Sequence, residues 1–226
     1  MLKKKKKQNK LDKIIIPEFL FTYLNDKKGD GDVKKEIMSQ FGNAQDNRLL
    51  KNLYDIASNL DIDEKERTEA INTIGNIGNA DSVEFLMKMI EDEKNSDEIR
   101  YDSTKALLSV IHPYSIINEQ GKEEIVDKRK KYIKISKEQI NWTMDIILNK
   151  NINFYIREAL VNIIYYYEKQ NKNYAIKLLE EIYNNTDNKF INDKTADILN
   201  SFTEKNKYKN PIITDKEWDS HTNNLP

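Results

Sequence analysis

Apolar residues recur every three to four positions through most of this chain, which is the period of a helix with one buried face. The segments "VKKEIMSQFGNA", "ERTEAINTIGNIG", "IRYDSTKALLSVI", "IREALVNII" and "INDKTADIL" all follow this rule. After each of the first four comes a second amphipathic stretch: "DNRLLKNLYDIASNL", "DSVEFLMKMIEDE", "SKEQINWTMDIILNK" and "NKNYAIKLLEEIYNN". We term the first kind A and the second kind B. Most B segments open on a residue suited to capping a helix, such as Asp46, Asp81 or Ser136. A further B-like helix, "PEFLFTYLND", opens the series with Pro17 in its first turn.

The A segments share a register. Arg67 and Arg100 lie 33 residues apart, and at the same offset Ala70 aligns with Ser103, Thr73 with Ala106 and Ile74 with Leu107. Lys34 holds the arginine position one period earlier, Arg157 holds it 57 residues after Arg100, and Asn192 holds it 35 further on. Three of the five arginines therefore share one structural position. A fixed period of this length marks a stack of helix pairs.

The clearest repeat combines Glu66-Arg67, Ala70, Ile74-Gly75-Asn76-Ile77-Gly78, Asn79-Ala80 and Val83-Glu84-Phe85-Leu86. This pattern resembles the short HEAT-like repeats of the phycobilisome-lyase type, met in bacterial HEAT repeat-containing proteins. Ile99-Arg100, Ser103 and Ala106-Leu107 match next best. The resemblance implies an all-α fold, an α-solenoid of about four to five stacked helix pairs over 14–205. It also implies that the B helices line the concave face. Such an architecture serves many unrelated activities, so it carries no chemistry of its own.

Two regions break the pattern. An insertion at 113–135 makes the third full repeat some twenty residues too long, and Lys122 to Ile133 within it could form a short helix. An insertion of that length on a regular scaffold is either functional or merely tolerated. Outside the array, 1–13 reads as a basic disordered tail and 206–226 as a polar C-terminal tail that Trp218 pins to the body.

Gly75 and Gly78 invite comparison with a dinucleotide loop. The residues before them are helical in period and a third glycine is missing, so the pair reads as a helix end and a close helix contact. Asp26, Asp30, Gly31 and Asp32 sketch an EF-hand, but Lys28 and Ile37 occupy two ligand positions, which leaves a solvated loop. His112 and His221 are the only histidines and cysteine is absent, so neither a metal constellation nor a nucleophile with its base is visible. His112 is expected at a helix end. Tyr165-Tyr166-Tyr167, with Tyr155 and Trp142, form either packing between helices or an exposed hot spot. Nothing calls for a cofactor.

Charge narrows the partners. The net charge is −1, without the basic excess that phosphate neutralisation requires, which argues against a nucleic-acid partner. The run Lys3–Lys7 leaves a weak route to an anionic membrane, and no apolar stretch is long enough to span one. Equivalent polar positions on the B helices are Lys51 and Asp55, Glu84 and Lys88, Asp145 and Asn149, and Lys177 and Glu181. Their mixed signs suit a protein or peptide of mixed charge. Arg67, Arg100 and Arg157 read as a structural ladder. The expectation is a cytoplasmic, non-enzymatic protein-interaction scaffold or adaptor that binds through the concave B face and the 113–135 insertion. Two alternatives follow from resemblance: a HEAT-like DNA glycosylase acting on alkylated bases, echoed by Trp142, Asp145 and Arg157, and a bilin lyase or chaperone relative.

Overall fold

A computed structural model of the chain describes residues 18–24, 26, 29–44, 47–112, 115–117, 123–125, 133–203 and 207–223. The basic segment 1–13, Pro17, Lys28, Asp46 and most of the insertion lie outside the described residues. The helices are α1 (Glu18–Leu24), α2 (Gly31–Ala44), α3 (Leu50–Ser58), α4 (Glu64–Ile77), α5 (Ser82–Glu91), α6 (Asp97–Ile111), α7 (Lys137–Leu148), α8 (Phe154–Asn185), α9 (Lys189–Phe202) and α10 (Asp215–Asn223). A 3-10 turn at Asn47–Leu49 leads into α3. They stack in chain order as an α-solenoid, with one core running from Leu24 to Leu199.

Start and stop signals act where the residues require them. Asp63, Asn153 and Asn188 accept amide hydrogens at the N-termini of α4, α8 and α9. Ser136 and Gln139 form a reciprocal capping box on α7. Asp81 stands before α5, but its side chain makes no capping bond. Gly78 ends α4 with φ of 67°, a left-handed conformation that glycine adopts without a Cβ clash. Asp30 accepts from the amides of Asp32 and Val33 at the start of α2, so this aspartate of the EF-hand-like run is committed to the helix.

The insertion departs from expectation. Its residues 123–125 form a strand, β2 (Glu123–Ile125), paired antiparallel with β1 (Ser115–Ile117), where a helix was expected. Ile116, Ile117 and Ile125 are β-branched and favour extended pairing. The expected A and B helices of the fourth repeat are merged into α8, which is broken only at Asn171 (φ −156°, ψ 86°). The segment 206–226 is more than a tail, because it contains α10.

The closely packed unit is a B helix followed by the next A helix: α3 with α4, α5 with α6, and α7 with α8. The shared register explains this pairing. Arg67 Nε donates to the carbonyl of Ala57, Arg100 Nε to that of Ile90, and Arg157 Nε to that of Ile147, at 2.9, 2.7 and 2.7 Å. Each acceptor is the next-to-last residue of its B helix. Asn192 Nδ2 makes the equivalent bond to the Tyr183 carbonyl at 2.8 Å. All three arginines are buried, and each reaches a further partner: Asn95 for Arg67, Asp97 for Arg100 and Asp187 for Arg157. Burial holds the Arg67 guanidinium below its usual pKa, with Glu64 and Asp92 opposing. The ladder thus fastens each A helix to the end of the preceding B helix.

The A helices also approach one another in unbroken succession: α2, α4, α6, then α8 and α9. Gly75 makes this possible, since a Cβ there would lie 2.9 Å from Ala106 Cα. Among the described residues the B helices meet one another far less extensively, with α3 and α5 the main contact.

Arg100→Met removes the guanidinium while leaving the carbonyl buried, and should destabilise the fold by about 2–3 kcal/mol in denaturant unfolding. Gly75→Ala should cost about 1–3 kcal/mol. Ala106→Gly should not rescue it, because the nearest atom is the Ala106 backbone; full rescue would show that the Ala106 side chain, not the backbone, sets the approach.

Candidate partner-binding surface

The eight B-helix positions are all exposed. Lys51 and Asp55 lie on α3, Glu84 and Lys88 on α5, Asp145 and Asn149 at the end of α7, and Lys177 and Glu181 on the second arm of α8. None of the seven charged side chains enters an ion pair among the described residues, whereas the Asn149 side chain accepts the Asn151 amide. Signs alternate along each helix, since a lysine and a carboxylate stand four residues apart on α3, α5 and α8.

Charges on the A side are committed instead. Lys34 pairs with Glu66 at 3.5 Å, Lys105 with Asp102 at 2.6 Å, and Lys194 with Glu158 at 3.8 Å. Burial raises the Glu69 carboxyl above its usual range, with Lys35 opposing. Burial likewise lowers the Lys194 ammonium, with Glu158 opposing. These groups belong to the closely packed A layer.

The remaining sequence candidates are mostly structural. Arg67, Arg100 and Arg157 are buried on helix carbonyls and present no row to a partner. Trp142 donates its indole N–H to Glu91 Oε1 at 2.7 Å and Asp145 is exposed, so the set Trp142, Asp145 and Arg157 has one member tied to a neighbouring repeat and one tied to the backbone. Tyr166 stacks on His112 (3.7 Å between ring centroids), which stands at the end of α6 as expected. Tyr167 packs on the core, while Tyr165 is exposed beside Phe202. Among the described residues no group of three or more His, Asp or Glu side chains is placed to hold a metal ion, and no helix is long and apolar enough to cross a membrane.

The sequence reading did not anticipate how α10 is held. His221 stacks on Phe190 with ring centroids 4.0 Å apart, and Trp218 meets Phe190 edge-on at 5.3 Å. Tyr155 Oη donates to the His221 carbonyl at 2.6 Å, and His221 Nε2 lies 3.6 Å from Glu158. Burial raises the Tyr155 phenol. A signal was present, because Thr214-Asp215-Lys216-Glu217 is a capping box: Glu217 accepts the Thr214 amide, and Thr214 Oγ1 accepts the Glu217 amide. At the starts of α8 and α9, Lys150, Asn153, Arg157 and Asp187 line a polar cleft of about 480 Å³ in which Lys150 pulls the Asp187 carboxyl below its usual range.

No family model matches the chain, and no curated protein matches it. Among solved structures, human deoxyhypusine hydroxylase in complex with glycerol aligns with 14% identity and a TM-score of 0.39, over 81% of this chain and 72% of that one.

The α10 anchor has a titration signature. Lys189 donates to Glu217 at 2.7 Å and, with Thr214, lowers its pKa from 4.5 to about 2. A depressed carboxylate contributes its stabilisation above the ordinary value, and loses it as pH falls from 4.5 through about 2. Carboxyl NMR should place the Glu217 midpoint near 2, and Lys189→Met should move it back toward 4.5. A midpoint unmoved by that substitution would show that the pair does not form.

Proposed function

We propose that the chain is a HEAT-like repeat protein that works in the cytoplasm as a non-catalytic scaffold or adaptor, holding a protein partner of mixed charge. The supporting observation is the division of labour between the two layers. Charges of the A layer are largely spent within the fold, whereas the seven charges of the B face are exposed and uncommitted among the described residues. Uncommitted charges of alternating sign select a partner by complementarity and by penalising mismatched ones. The insertion 113–135 adds a hairpin beside the end of α6, and it extends the contact surface in this reading. The buried guanidiniums serve the array and take no part in recognition.

The test begins with affinity purification from the native host, followed by titration of the recovered partner against the purified chain. The triple variant Glu84→Lys, Lys88→Glu and Lys177→Glu should weaken binding by about tenfold or more, with melting temperature nearly unchanged because all three side chains are exposed. A partner bound equally well by the variant would sink the B-face assignment.

A further inference from the structure

We propose that the groove between the first turns of α8 and α9 is a docking site for a short helical peptide of a partner protein, and that α10 is a built-in occupant which such a peptide displaces. The groove has an aromatic wall of Phe154, Tyr155 and Phe190, with Glu158 and Lys189 at its edges. α10 engages it through one turn only: Glu217 on Lys189, Trp218 against Phe190, and His221 between the rings and Glu158.

Three features make α10 a replaceable ligand. Its fit is incomplete, since an open cleft of about 430 Å³ remains where Glu217 and His221 meet the aromatic wall of Phe154, Tyr155 and Phe190. Its contacts are unfinished, since Trp218 is 43% exposed and His221 Nδ1 is buried without a hydrogen-bond partner. A buried polar atom in that state costs free energy that a better-matched occupant recovers. Finally, α10 has a hinge. Residues 208–210 are tied to the array by Tyr208 on Asn200, Tyr183 on the Lys209 carbonyl and Asn210 on Asp193 and Asp197. The four residues that follow, 211–214, include Ile212, which is 86% exposed. α10 leaves by turning at 211–214, and α9 keeps its own contacts.

The occupant defines the partner. A matching peptide is a helix with an acidic residue for Lys189, a large aromatic ring next to it, and a ring nitrogen or cation one turn later facing Glu158. This is recognition by a helix in a groove, read through anchors one turn apart. The surface is separate from the B face, and charge reversals there leave it untouched.

The probe is a fluorescein-labelled peptide with the sequence of residues 211–223, titrated by fluorescence polarisation against the full chain. The double variant Trp218→Ala/His221→Ala, which empties the groove, should bind it at least about tenfold more tightly than the unaltered chain, whose own α10 competes. Adding Phe190→Ala should remove that gain. Equal affinity for the unaltered chain and the double variant would overturn the proposal, as would no binding by a double variant whose circular dichroism and melting match the unaltered chain. Hydrogen exchange on the unaltered chain is a second, independent check. Amides of 217–222 should exchange at least about 100-fold faster than those of 160–164 in α8. Equal protection would mark α10 as a permanent part of the fold and overturn the proposal.

Discussion

The last turn of a helix leaves carbonyl oxygens with no amide to pair with, and burying them unpaired is unfavourable. In this array those carbonyls face the next A helix, and a buried guanidinium meets one at Ala57, Ile90 and Ile147 in turn. The donor must stay charged, reach across a helix end and still have nitrogens left for a second partner, which arginine's fork allows. Where the position is Asn192, a neutral amide makes a corresponding bond to Tyr183. Removing any of these side chains exposes the same weakness: a helix end that has no other donor.

Two consequences follow from this clamp. It ties B to the following A, so the clamped pair is offset by one helix from the A-then-B unit of the sequence repeat. It also brings the A helices into close succession, where Gly75 clears the crossing with Ala106 and Ser103 and Thr104 turn their hydroxyls back on their own helix carbonyls. Small or self-satisfied side chains are what a tightly packed layer requires. The B helices, held at one end, stand apart and leave their charges to solvent. α10 then lies over the first turns of α8 and α9, where the aromatic residues at the start of those helices would otherwise be uncovered.

The fold was largely legible in the sequence because helical periodicity, the Gly78 turn and the arginine register are local and repeated. The register itself was visible, but its partners were not, since a carbonyl acceptor has no side-chain signature. How closely the A helices pack was not legible, because it follows from pairs such as Gly75 and Ala106 that no single segment reveals. The segments ending at Ile164 and opening at Asn171 read as two helices, yet no glycine or proline separates them, and helix continues between them with a break only at Asn171. α10 was passed over because its sequence is polar. Its capping box at Thr214 and Glu217 was the available clue, and its anchoring ring belongs to a histidine. The eight B-face positions are exposed because burial follows the same periodicity.

The clamp is tested most directly by nitrogen-15 NMR of the arginine side chains. The account predicts that the Hε protons of Arg67, Arg100 and Arg157 exchange with water orders of magnitude more slowly than those of the same chain unfolded in denaturant. Three Hε signals exchanging in the folded chain at that solvent-like rate would contradict it, since a guanidinium locked on a buried carbonyl cannot exchange without opening the helix pair.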